Sequence, residues 1–180
     1  MTAALSKPGV LSAPIERLSQ VRALGAAGDA LAAVSERRRG MLIDLLRGRP
    51  LGHPLHPALT DLPIGFWTAA TVLDVVGTNG SRRAARQLIG WGVVSAAPTI
   101  ASGVVEVPTL TPAKRRVAVV HAAANLAATG AYAASWRLRG GGRHTAGVLV
   151  GLAAATVASV GGYLGGWLAM GDDPGSPSDG

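Results

Sequence analysis

The chain has 180 residues; 48% are apolar, 15% are charged and 4% are aromatic. Soluble domains carry about 25% charged residues, so a water-soluble globule with an aromatic core is a poor fit, and the mean hydropathy of +0.32 points the same way. Net charge is +7, from 17 bases against 10 acids, and the absence of cysteine excludes disulfides, thiolate metal sites and a cysteine nucleophile.

Residues 1–50 read as a basic, amphipathic helical extension. Ile15, Leu18, Val21, Leu24, Leu31 and Val34 recur at roughly helical spacing, with Glu16, Arg17, Arg22, Glu36 and Arg37 between them. Arg37, Arg38 and Arg39 then precede Met41, Leu42, Ile43, Leu45 and Leu46. Such a stretch either lies on an anionic membrane surface or packs on neighbouring helices. No interleaved aromatics accompany the arginines, so nucleic acid is not the expected partner. Residues 1–40 lack the apolar core and small-residue site of a cleavable signal, so the first span is expected to serve as its own insertion signal.

Four apolar segments follow, at 58–76, 87–105, 117–136 and 146–170. Each approaches the about 20 residues that cross a hydrocarbon layer of about 30 Å. A soluble bundle needs a charged stripe on each helix, and the second and fourth segments have no charge on any face. The bases of residues 58–170 fall in three clusters between the segments, which read as short loops: Arg82, Arg83 and Arg86; Lys114, Arg115 and Arg116; Arg137, Arg139 and Arg143. Gly77–Gly80, Pro108–Pro112 and Gly140–Gly142 supply the breakers. Short connections make neighbouring helices antiparallel. Residues 171–180 read as a disordered acidic tail.

Antiparallel spans bring most polar groups to one membrane face. His53, His56, Thr60 and Asp61 open the first span, Glu106 closes the second, His121 with Asn125 at i+4 opens the third, and Tyr163 and Trp167 close the fourth. Asp74, Asn79 and His144 belong to the other face. Unpaired polar groups cost several kcal/mol in hydrocarbon and turn inward, so His53, His56, Asp61, Glu106, His121 and Asn125 are expected to cluster. Asp61 and Glu106 are the partners expected for His121. Histidines at one depth on different helices can ligate haem iron or a divalent metal, with His56 and His121 the ligand candidates; a packing role, with His56 bonded to a backbone carbonyl, stands beside it. In the fourth span Gly161, Gly162, Gly165 and Gly166 permit close helix packing, inside the bundle or in a homodimer. Pro98 should kink the second span and free a carbonyl near the bundle centre. Ser95, Ser102 and Ser135 lack a neighbouring base, and no phosphate loop, nucleophile elbow or zinc-protease motif is present. No inverted repeat is evident, which weakens a transporter reading.

The run from Gly52 to Trp67, Gly-His-Pro-Leu-His-Pro-Ala-Leu-Thr-Asp-Leu-Pro-Ile-Gly-Phe-Trp, resembles the opening motif of the bacterial membrane family DUF2231. Ala101-Ser102-Gly103, His121 with Asn125, and Gly161-Gly-Tyr-Leu-Gly-Gly166 extend the likeness over about residues 50–170. The resemblance implies a four-span domain. Through Rieske-type iron–sulfur domains fused to or encoded with some members, it also implies membrane redox traffic; here that domain would be a separate protein. Trp167 stands where the resemblance implies a further histidine.

The expected architecture is all-α: an integral membrane four-helix up-down bundle at residues 51–170 behind an amphipathic helical extension. The expected setting is the bacterial cytoplasmic membrane, multi-pass, with a cytoplasmic N-terminus. The expected role is a non-catalytic membrane component or partner of a redox or envelope assembly. The alternative is a haem- or metal-binding electron-transfer subunit using the His53, His56 and His121 face.

Overall fold

The structure, a computed structural model, describes residues 12–36 and 40–171. Arg37, Arg38, Arg39 and the acidic residues 172–180 lie outside the described residues, and with them the expectations placed there. Every regular element among the described residues is helical. Three short helices come first, α1 (Ser12–Gln20), α2 (Gly25–Glu36) and α3 (Met41–Leu46). Four long ones follow, α4 (His56–Val76), α5 (Asn79–Glu106), α6 (Pro112–Gly140) and α7 (His144–Met170). All four are long and apolar enough to cross a membrane.

Local chemistry sets the ends of the spans. Pro57 occupies the first turn of α4, where its missing N–H costs nothing. Gly77 ends α4 with φ 74°, a left-handed cap whose N–H reaches the Leu73 carbonyl at 3.2 Å. Thr78 and Thr111 then cap α5 and α6 by accepting from the backbone N–H of Ser81 and Lys114. The connections are shorter than the sequence reading had them. Arg82, Arg83 and Arg86 belong to the start of α5, Lys114, Arg115 and Arg116 to that of α6, and Arg137 and Arg139 to the last turn of α6. Arginine is a good helix former and its long stem reaches the headgroups from inside a helix end. The 28 residues of α5 therefore run to about 42 Å, beyond the about 30 Å of hydrocarbon.

The four spans form two tight hairpins, α4 with α5 and α6 with α7; α5 also packs on α6, and α4 meets α7 only lightly. Trp67, Ala70, Ala85, Ile89, Ala96, Tyr132 and Ala154 make the main buried cluster. Pro63 lies inside α4 and is buried. It deprives the Leu59 carbonyl of its helical donor, and Thr99 Oγ1 of α5 donates to that carbonyl at 3.0 Å. The freed carbonyl at the hairpin interface thus comes from Pro63. Pro98, expected to supply one at the centre, is exposed on the outer side of α5.

The extension packs on the bundle at the α6 end of the hairpins. Ile15 of α1 is buried against Val117 and Leu164. The apolar stripe holds for α1 but not for α2, where Val34 is exposed and Gly28, Ala32 and Ser35 are buried. A Cβ on Gly28 would lie 3.1 Å from Arg115 Cβ and 3.3 Å from its backbone, so only small residues fit that contact. Ser35 Oγ donates to Val104 O at 3.2 Å, so α2 holds both α5 and α6. On α3, Met41, Leu42 and Leu45 remain exposed.

The two hairpins repeat one another. His56 faces His121, Trp67 stacks on Tyr132, and Asp74 pairs with Arg139, each pair 65 residues apart. The helices behind them keep register too: His56 bonds Thr99 and abuts Gly103, while His121 bonds Gly161 and abuts Gly165. Equivalent residues that meet one another are what two copies of a hairpin produce when a twofold axis along the membrane normal relates them. This parallel repeat is invisible to a search for inverted ones.

Candidate functional site

The α4–α6 seam carries three layers. The first lies near the face where α4 and α6 begin. His56 Nδ1 approaches the Thr99 carbonyl at 2.9 Å and Ser102 Oγ at 3.2 Å, and that hydroxyl itself donates to Thr99 O at 2.8 Å. His121 Nδ1 approaches the Gly161 carbonyl at 2.8 Å. A carbonyl only accepts, so both Nδ1 atoms carry a proton, and in the neutral ring Nε2 holds the lone pair. The ring centroids are 6.3 Å apart with an interplanar angle of 82°. Asn125, one turn beyond His121, donates Nδ2–H to the His121 carbonyl at 3.0 Å and lies against the imidazole, with Nδ2 3.2 Å from Nε2. Thr129 in turn donates to the Asn125 carbonyl at 2.8 Å.

Glycines admit these rings. A Cβ on Gly103 would sit 2.8 Å from His56 Cε1, and one on Gly165 would sit 2.8 Å from His121 Cε1. A Cβ on Gly161 would sit 2.7 Å from Asn125 Oδ1. The sequence reading grouped Gly161, Gly162, Gly165 and Gly166 as packing residues. Gly161 and Gly165 serve the interior in this way, whereas Gly162 points into open space and Gly166 meets only its own helix's Met170.

Of the six polar residues expected together, His56, His121 and Asn125 do meet. Glu106, at the end of α5, is within electrostatic reach of His56, and its Oε1 is buried without a hydrogen-bond partner. His53 is exposed and reaches only the neighbouring Pro54 carbonyl. Asp61 is exposed on the outside of α4 and partners neither histidine. Its position five residues after His56 turns it away from the seam, because α4 presents residues 56, 63, 67, 70 and 74 inward. His121 therefore takes a backbone carbonyl and Asn125 as partners, not a carboxylate.

The second layer is the Trp67–Tyr132 stack, with centroids 4.0 Å apart and planes 14° from parallel. Gly92 of α5 abuts the indole, whose Nε1 is buried and unpartnered. The third layer went unseen in the sequence. Arg139 Nη1 and Nη2 donate to the two Asp74 oxygens at 2.5 and 2.7 Å, a bidentate pair with side chains 2% and 10% exposed. Ser135 completes it: its hydroxyl accepts from Arg139 Nε at 3.2 Å and donates to the Gly147 carbonyl at 2.6 Å. The missed signal is the spacing itself, His-x3-Thr, Trp and Asp from residue 56 against His-x3-Asn, Tyr and Arg from residue 121.

Among the described residues no group of three His, Asp or Glu side chains is placed to hold a metal ion; the histidine layer brings together two imidazoles, with the Glu106 carboxylate within electrostatic reach of His56. No curated protein and no solved structure matches the chain. The profile of the family described as predicted membrane protein (DUF2231) matches residues 52–175. With its opening motif, its four spans and the His121–Asn125 pair inside that match, the chain is a multi-pass membrane protein belonging to the DUF2231 family.

Proposed function

We propose that this protein is a non-catalytic membrane component that holds one transition-metal ion between His56 and His121. The observation that carries this reading is the state of the two imidazoles. Each Nδ1–H is committed to a backbone carbonyl of the adjoining helix, at 2.9 and 2.8 Å. Such a bond fixes ring orientation and tautomer and leaves Nε2 for a ligand, which at His121 would replace the Asn125 amide now 3.2 Å away. The glycine behind each ring holds it in place. A haem iron between the two imidazoles would set the same ring spacing, but its porphyrin plane would require the two hairpins to part around it, so an ion is the simpler match.

The likeness to a family with Rieske-associated members supports a separate redox protein as the partner, docking on the face that carries the histidines and α1–α3. That face is cytoplasmic in this reading, on the strength of the Arg37–Arg39 run and the positive-inside rule, in a bacterial cytoplasmic membrane. Thr109→Cys should then be shielded from an impermeant thiol reagent in intact cells, and Thr78→Cys should react.

Metal analysis of purified protein, together with its absorption spectrum, tests the site. Bound metal that disappears in His121→Leu supports it. Wild-type protein that carries no metal, and takes none up from Cu+, Zn2+ or Co2+ solutions, overturns it. A Soret band on haem addition that depends on both histidines would replace the ion with haem.

A further inference from the structure

We infer that the paired-histidine site selects a monovalent d10 cation, Cu+ or its redox-inert analogue Ag+, over divalent transition metals. The inference rests on the metal reading above and adds the ion's class.

Three observations carry it. The first is donor number. The seam brings two imidazoles together, and among the described residues no third histidine or carboxylate completes a set of three. Zn2+ takes four ligands, and catalytic sites still give it three from the protein. A d10 monovalent ion is content with two nitrogens in line. The second is distance. Two metal–nitrogen bonds of about 2.0 Å to facing imidazole edges put the ring centres about 6 Å apart. The observed centroid separation of 6.3 Å matches that figure. Two planes at 82° are free to share such a linear axis.

The third is charge. The cost of taking an ion out of water into a low-dielectric interior rises with the square of its charge. Neutral imidazoles do nothing to lower the net charge of what they bind. Among the described residues the carboxylate within electrostatic reach of His56 is Glu106, whose Oε1 is buried and without a partner. One negative charge offsets one positive charge, and a divalent ion would leave the site with an unbalanced charge.

The repeat adds a signature that adventitious binding lacks. Each hairpin supplies the same half-site: an imidazole, a carbonyl on the next helix, and a glycine four residues beyond that carbonyl. The two histidines should therefore contribute equally.

The test uses the full chain in lipid nanodiscs with each metal alone. Ag+, and Cu+ kept reduced by ascorbate, should bind one ion per chain, with X-ray absorption showing two nitrogen or oxygen neighbours. An excess of Zn2+ or Co2+ should not displace them. Lost second-shell partners alone cost about 10–100-fold in metal affinity, so His56→Ala and His121→Ala should each weaken Ag+ binding by at least about 100-fold, to a similar extent. His56→Gln and His121→Gln serve where an alanine variant fails to fold. Glu106→Gln should weaken Ag+ binding by a smaller factor. Displacement by Zn2+, or a tetrahedral Co2+ spectrum that needs both histidines, overturns the monovalent selection and leaves the two-histidine site standing. Binding of neither class overturns both. Ag+ binding that survives both histidine substitutions assigns the ion elsewhere and also overturns the inference.

Discussion

The two ends of the α4–α6 seam solve the same problem in opposite ways. At one end Asp74 and Arg139 neutralise each other; both carboxylate oxygens, both terminal guanidinium nitrogens and Nε are bonded. At the other end His56 and His121 have each spent one nitrogen on a carbonyl, and a Glu106 oxygen within electrostatic reach of His56 has no partner. A network with every group satisfied locks a structure, whereas one with an unpartnered buried acceptor has something left to bind. On this comparison the ion pair joins the two hairpins, and the imidazole pair is the one proposed above to bind an ion.

The largest effect should come from breaking the clasp. Removing one partner of a buried ion pair costs about 3–5 kcal/mol, since the survivor stays charged and unpaired. Asp74→Ala or Arg139→Ala should therefore lower stability by that amount, read by denaturant unfolding in mixed micelles. Replacing both together with Leu and Met should cost far less. The two positions are repeat equivalents, so Asp74→Arg with Arg139→Asp should recover much of the loss. Equal loss in single and double replacements would show that the pair does not work as a clasp.

Next in size is the contrast on α7. Leu164 is 4% exposed and packs with Ile15 and Val117, joining the extension to the bundle. Leu164→Ala should cost about 2–5 kcal/mol. Gly162→Leu should leave the isolated chain's stability nearly unchanged, because a side chain there meets open space. The same thermal melts in detergent report both, and a destabilised Gly162→Leu would place another surface against that side of α7.

How much of this was legible beforehand follows from the physics of each signal. The four spans were, because bilayer thickness fixes a length and hydrocarbon excludes charge, and both leave marks in a linear sequence. The meeting of His56, His121 and Asn125 was legible from topology and depth. Asp61 was misplaced because depth says nothing about azimuth: it lies near the same level as the histidines but on the outside of α4. Arg139 reads in the sequence as part of a basic loop cluster, and only the fold reveals that it turns inward to Asp74. Gly103 and Gly92 look like ordinary small residues until the ring that fills each notch is known.

The glycine notches sharpen the comparison at intermediate size. Gly103→Ala and Gly165→Ala each place a Cβ 2.8 Å from an imidazole carbon. Overpacking typically costs about 1–3 kcal/mol, and the two variants should fall close together because their surroundings repeat. Each should also shift its histidine's imidazole NMR signals, while an outward control such as Gly166→Ala should not. A large difference between the two would mean that the half-sites are equivalent in register but not in packing.

Among substitutions in the seam's layers, the smallest stability effect, and the largest functional one, should come from His121→Leu. The Gly161 carbonyl that receives Nδ1–H sits within α7, where the helix offers it its own donor, so losing the imidazole strands no backbone group. A net intramolecular hydrogen bond contributes about 0.5–1.5 kcal/mol, and a leucine placed among α7's small residues returns part of that by burial. The variant should therefore unfold within about 1 kcal/mol of wild type, in contrast to Asp74→Ala, and should have lost any metal that wild type carries. His121→Gln, which keeps a polar group facing the Gly161 carbonyl, should match the leucine variant in metal content and wild type in stability. If His121→Leu instead unfolds as readily as Asp74→Ala, the two layers are alike, and the imidazole pair is a second clasp holding the hairpins together at the other membrane face.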